Sequence, residues 1–319
     1  MGFGGSAVPF LYHNPLLSLI ILPTPPPIFF FLSPSLPKGE SNSLTSTWED
    51  GFYTCALPRL VSTLRSLFNS PTMHAAIVQL APWASSGASF NSQVATLREA
   101  QLRAGDALPN ISVITAVDGG DPFGPIGSIH PRAKQLVGRR TAAAALSLVY
   151  GIERPFAGPR FKQATAGGDA THPLSATLTF TGGGGGLSLI TPQATGQFAN
   201  SSVCPTGVSA SLCFGFMIAG TDGTWRPATG VLSGDSQQLV LSAPAPAGVT
   251  AVAVSSGWSL WPITLLYGTN GLPVFPFNAT VTGGEGGMPS FFGSNTGSEE
   301  QGPIPPLDLN PSAAFLSGI

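Results

Sequence analysis

Residues 111–117, Ile-Ser-Val-Ile-Thr-Ala-Val, form a β-branched run with segments of helical spacing on both sides. That alternation commits this part of the chain to crossover connections between parallel strands. Upstream, Leu57, Leu60, Val61, Leu64, Leu67 and Phe68 recur at helical intervals, with Pro58 expected in the first turn. A short apolar strand is expected at 75–80, a helix at 94–104, the strand at 111–117, and a helix at 131–149. From about Glu153 the texture changes to Gly, Thr, Ser and Val in period-two alternation, with strands expected near 176–181, 187–190, 212–218, 238–242 and 249–254. The fold class that follows is an α/β unit with a parallel sheet, then an antiparallel, sandwich-like β-rich domain.

Four segments are expected: 1–38, 39–152, 153–282 and 283–319. The first is anomalous. Its apolar stretches are broken by Pro23, Pro25, Pro26 and Pro27, so neither a membrane helix of about 20 residues nor a signal with a basic start fits. Residues 23–37 read like a translated pyrimidine-rich intron end rather than native fold. The tail from Gly283 is rich in Gly, Pro and Ser and reads as disordered. With 40 Gly, 31 Pro, 9% charged residues and a net charge of −2, the chain has no basic stripe for a nucleic acid.

The loop after the 111–117 strand holds Asp118, Asp121 and His130, and Pro131 fits the first turn of the helix that follows. An imidazole at the carboxyl end of a parallel strand can deprotonate a hydroxyl nucleophile if a carboxylate holds its other nitrogen. From spacing alone the plainer reading is a loop histidine solvated beside a helix start. The four histidines are scattered and no Cys pair has finger spacing, so no metal and no cofactor is expected. Cys204 and Cys213 either close a short disulfide loop or are two small core residues; the third cysteine is Cys55. Sequons begin at Asn110, Asn200 and Asn278. Trp225, Trp258 and Trp261 read as core of the β-rich domain, and Gly182 to Gly186 as a linker or hairpin tip.

The block Asp118-x-x-Asp121-x-Phe123-Gly124, then Gly127-Ser128-Ile129-His130-Pro131-Arg132-x-Lys134-Gln135-x-Val137, resembles the histidine block of sialate O-acetylesterases, of the SGNH (GDSL-like) hydrolase superfamily. Gly39-Glu40-Ser41-Asn42, Leu97-Arg98-Glu99-Ala100-Gln101 and the Trp258 to Phe277 region resemble that family in the same order. The resemblance implies a three-layer α/β/α domain, present here in part, and a secreted or lysosomal/vacuolar setting. The substrate it implies is an acetylated carbohydrate, with O-acetyl groups removed from sialic acid or a related sugar. His130 would be the base, and Glu40, Asp121 or Asp118 the acid that orients it. Asn42, with Gly39, would stand at the oxyanion hole, and Arg98 and Gln101, one turn apart, would contact substrate or form a solvated face. The family's Gly-Gln-Ser-Asn nucleophile block does not occur, and Ser6 lacks its neighbours. The chain is therefore expected to be inactive as it stands. Two alternatives stay open: a non-catalytic relative with a carbohydrate-binding or structural β-rich domain, and an extracellular structural glycoprotein.

Overall fold

The computed structural model describes residues 18–20, 29–32, 52–84, 90–167, 174–190, 204–205 and 213–283. Its first sheet has the order β1-β2-β3-β4, formed by β1 (Ser18–Ile20), β2 (Phe29–Leu32), β3 (His74–Gln79) and β4 (Ile111–Thr115). β2, β3 and β4 run parallel, and β1 pairs antiparallel to β2. Among the described residues three helices cover the sheet: α1 (Phe52–Leu67), α2 (Phe90–Asp106) and α3 (Lys134–Leu148).

β3 shows why the sheet carries helices on both faces. Ala75 and Ile77 pack with Val61 of α1 and with Val94, Leu97 and Ala100 of α2. Ala76, one residue out of phase, packs with Ile114 and with Ala144 of α3. A strand alternates its side chains, so an apolar run without alternation must be covered twice. Ile114 is 0% exposed; truncating such a residue to Ala costs about 2–5 kcal/mol.

The 1–38 stretch supplies β1 and β2, and Phe29 to Leu32 lie opposite His74 to Ile77 of β3. The physical reason is that its prolines flank Ile28-Phe-Phe-Phe-Leu32 rather than interrupt it, so every residue of β2 keeps an N–H for the ladder. The edge of β3 is thereby paired. Pro58 lies in the interior of α1 rather than in its first turn, because the helix starts five residues before Leu57. α3 starts at Lys134, with Ala133 at its N-cap, so Pro131 precedes the helix.

From β5 onward the described strands pair antiparallel. One four-stranded sheet has the order β10-β11-β6-β5, with β5 (Arg160–Gly167), β6 (Leu174–Thr181), β10 (Thr229–Leu232) and β11 (Gln238–Ala243). The other has the order β14-β12-β8-β9, with β8 (Phe216–Gly220), β9 (Trp225–Pro227), β12 (Ala251–Ser256) and β14 (Phe277–Thr280). Both sheets contribute to one core: Leu174, Ala176, Leu178, Leu239 and Leu241 meet Phe216, Ile218, Val254 and Phe277. In β11 Leu239 and Leu241 are buried, whereas Gln238 and Val240 face outward. That is the alternation of a sheet with one wet face. A two-stranded ribbon joins β7 (Leu187–Leu189) and β13 (Leu266–Gly268).

Gly182 to Gly185, between β6 and β7, all have φ between 77° and 89°, a region that L side chains rarely adopt. A Cβ on Gly183 would also lie 2.2 Å from Pro159 Cγ. The glycine run is thus a turn built from residues that only glycine can fill. Cys204 and Cys213 are disulfide-bonded, with Cα atoms 5.6 Å apart, and Cys55 is free and exposed. No described helix is long and apolar enough to cross a membrane.

Candidate active site

The loop from β4 to α3 is held by two acid–arginine clasps. Asp118 accepts from Arg140 Nη1 at Oδ1 and from Arg140 Nη2 at Oδ2, both at 2.7 Å, and Arg140 Nη1 also donates to Thr115 O at 2.7 Å. Both side chains are under 10% exposed, so α3 is fastened to the exit of β4 by a paired, buried charge. Tyr267 Oη donates to Asp118 Oδ2 at 3.4 Å, and burial, with the Asp118 charge beside it, pushes the phenol well above the usual tyrosine range.

Asp121, 1% exposed, accepts from Arg132 Nε at 2.7 Å, Arg132 Nη2 at 2.9 Å, Arg132 N at 3.0 Å and Phe123 N at 3.3 Å. The hydrogen-bonded Arg132 side chain holds this carboxyl below its ordinary range, against the opposing effect of burial. Between the clasp's ends the chain forms three successive turns, Gly124 N to Asp121 O, Gly127 N to Gly124 O and His130 N to Gly127 O. Ser128 Oγ accepts from Ala84 N at 3.0 Å and donates to Ala84 O at 3.2 Å, which ties the loop to the segment leaving β3.

His130 stands on this fixed loop with its side chain exposed. Among the described residues, no side chain hydrogen-bonds its imidazole. Phe123 and Ile126, on the same loop, are 65% and 79% exposed. The arrangement presents an exposed imidazole on a loop that the Asp121–Arg132 clasp and three turns hold. Asp118 and Asp121, two of the three acids considered for orienting it, are each committed to an arginine. Glu40, Gly39, Asn42 and Ser6 lie outside the described residues.

Arg98 and Gln101 sit behind the loop instead of facing substrate or solvent, and both are 0% exposed. Arg98 donates through Nε to Leu80 O at 2.9 Å, through Nη2 to Ala81 O at 2.9 Å and Leu260 O at 3.2 Å, and through Nη1 to Ser259 O at 2.5 Å. Burial pushes its pKa down to about 9, so it remains a cation at neutral pH. Gln101 Oε1 accepts from Leu80 N at 3.0 Å. Alongside, Gln79 Nε2 donates to Arg98 O, and Thr115 Oγ1 to Gln79 Oε1. These residues fix the carboxyl ends of β3 and β4 and join them to the β-rich unit. The sequence carried no sign of this arrangement, because most of the partners are backbone atoms.

The β-rich unit reaches the same loop at three further points. Thr264 Oγ1 donates to Val117 O at 3.3 Å, Tyr267 meets Asp118, and Trp261 packs so closely on Gly120 that a Cβ there would lie 2.6 Å from Trp261 Cη2. Trp261 and Trp258 are 1% and 6% exposed, and Trp225 packs partly buried against Ala219, Val252 and Ala253. Among the described residues, no group of three His, Cys, Asp or Glu side chains could hold a metal ion.

A solved structure resembles this chain. It is a carbohydrate acetylesterase from Xanthomonas citri, at 27% identity and a TM-score of 0.57, with 79% of this chain and 49% of that chain covered. This chain thus spans about half the length of that protein. The likeness supports a relation to carbohydrate esterases on a mixed α/β fold with antiparallel sheets. No family model matches the chain, and no curated protein does.

Proposed function

We propose that this chain is the histidine-bearing part of a carbohydrate O-acetylesterase, with His130 as the general base and sialic acid or a related sugar as the acetylated substrate. The observation that carries the reading is the similarity to a carbohydrate acetylesterase at 27% identity. The rigid loop that presents an exposed His130 beyond β4 fits it chemically. In such a reaction His130 takes the proton of a serine hydroxyl as that oxygen attacks the acetyl carbon. It returns the proton to the sugar oxygen as the C–O bond breaks, and water then releases acetate by the reverse use of the same imidazole.

Because arginines engage Asp118 and Asp121, we assign the acid that orients His130 to Glu40 and the oxyanion donors to Asn42 and Gly39. No Gly-Gln-Ser-Asn block supplies the serine, so the isolated chain is proposed to be silent until such a segment is present. The non-catalytic alternative is favoured by one observation, the lack of an acid on the imidazole among the described residues. We place the chain in a secreted or lysosomal/vacuolar compartment, a setting supported by the Cys204 to Cys213 disulfide.

Acetate release from acetylated sugars and aryl acetates tests both readings. The chain alone should release none above buffer. Joined to an upstream nucleophile segment it should become active, and His130→Ala should then lose about 10²–10⁴-fold in kcat with an unchanged melting temperature. Activity that survives His130→Ala would remove the assignment. A restored chain with no activity would favour the non-catalytic reading.

A further inference from the structure

Of the two sequons whose asparagines are described, beginning at Asn110 and Asn278, only one can carry a sugar without breaking the fold. We propose that Asn110 bears an N-linked glycan and that Asn278 is bare.

Asn110 sits in the turn between α2 and β4 with φ of 59°, a left-handed conformation that asparagine tolerates better than most residues. Its Nδ2 donates to Thr72 O at 3.1 Å at an exposed position. A carboxamide nitrogen carries two hydrogens, so this bond leaves one to be replaced. In the transfer the nitrogen forms a bond to C1 of the sugar, the bond from C1 to the pyrophosphate of a lipid-linked donor breaks, and the pyrophosphate leaves with the displaced proton. The contact with Thr72 O survives on the remaining hydrogen. Nothing in the mature fold has to move.

Asn278 is different. It lies in β14 directly opposite Ser255 of β12, and Ser255 is 0% exposed. The Asn278 Oδ1 atom is itself buried with no hydrogen-bond partner. Side chains stand out from the face of a sheet, so a sugar on that carboxamide would have to displace the neighbours that bury Asn278 Oδ1 and Ser255 on that face.

Two further observations agree with a glycan on Asn110. The turn that ends α1, to which Asn110 is bonded through Thr72, exposes Leu67 at 74% and Phe68 at 45%. An apolar lip of this kind is the surface that a bulky, solubilising group would screen. The disulfide between Cys204 and Cys213 requires an oxidising compartment of the sort in which such transfer occurs. Asn110 is also at the amino end of β4, whereas the His130 loop leaves its carboxyl end. Five residues of strand, roughly 16 Å, keep the glycan clear of the candidate site.

The test is to express the whole chain behind a secretory leader in eukaryotic cells, remove N-glycans enzymatically in ¹⁸O-water, and map the resulting labelled aspartates by peptide mass. Label at position 110 and none at 278 is expected. Ser112→Ala destroys the sequon but keeps Asn110 and its bond to Thr72. Its buried Oγ makes no hydrogen bond, so the substitution should leave the fold intact while abolishing the label. A bare Asn110 in protein whose Cys204 and Cys213 are oxidised overturns the proposal, and so does label at Asn278 in folded monomer. Bare Asn110 with both cysteines reduced overturns it equally, since the argument requires passage through an oxidising compartment.

Discussion

Arg132 closes on Asp121 with Nε 2.7 Å from Oδ2 and Nη2 2.9 Å from Oδ1, and the pair joins the two ends of the loop that presents His130. Because the carboxylate is buried and the guanidinium is not, the loop is fastened from its inner side.

Asp121→Asn should loosen this loop while leaving the sheet intact. The loss should be about 1–3 kcal/mol, the cost of turning a buried carboxylate that accepts charge-assisted bonds from Arg132 into a neutral amide. Hydrogen exchange across residues 122–131 reads the effect, and exchange equal to wild type would contradict the clasp. The pH dependence has a definite sign. The folded carboxyl is depressed below the ordinary value near ~3.9, so its contribution is complete above that value. It is lost as pH falls through the folded value. At neutral pH the clasp is at full strength; it begins to weaken only in acid below about pH 4 and is lost as the folded carboxyl takes up its proton.

Arg98→Met should cost at least about 1–3 kcal/mol, because it leaves buried backbone carbonyls without a donor. Arg98→Lys should recover little, since an ammonium cannot reach four carbonyls in the geometry of the planar fork. Urea unfolding should separate into two transitions, one for each unit. A single unshifted transition in Arg98→Met would show that the joint lies elsewhere.

Gly120→Ala places a methyl 2.6 Å from Trp261 Cη2 and 3.0 Å from Pro82 Cβ. Overpacking of this kind costs about 1–3 kcal/mol. Trp261→Phe removes the clashing ring atoms, so the double variant should regain part of the loss. Additive losses in the double variant would mean that the two residues do not press on one another.

Reduction of the bond between Cys204 and Cys213 should lower stability by roughly 2–3 kcal/mol, the loop-closure contribution expected for so short a loop. The sequence separation is 9. Thermal melts with and without reductant measure it, and Cys204→Ser should match the reduced protein. Identical melts would show that the bond constrains nothing.

The sequence made some of this legible and hid the rest for identifiable reasons. Ile111 to Thr115 and the strands that alternate, such as Gln238 to Ala243, could be read because one or both faces are apolar in a simple pattern. The helical spacing from Leu57 to Leu67 also located α1, but not its start, since Pro58 is tolerated inside it. Pro131 misled for a different reason. The residue after it, Arg132, uses both its backbone N–H and its side chain on Asp121, which delays the helix to Lys134. Charge in this chain is scarce, so two acids and three arginines within residues 118–140 were themselves a sign of pairing rather than of a free catalytic acid. Phe29 to Leu32 looked foreign by composition, yet an aromatic run free of internal proline is good strand material wherever a partner edge is open.

The acceptors of Arg98 at Ser259 and Leu260 lie 161 and 162 residues downstream. During synthesis the guanidinium therefore emerges long before half of its partners exist. The α/β unit cannot complete its own interior as it leaves the ribosome; it must wait, with a cation in an unfinished pocket, for the second β-sheet to be made. A stop or frameshift anywhere before codon 260 would then remove more than the β-rich unit. It would leave the first unit unable to close, and the truncated product should go to the cell's proteases as an unfolded chain.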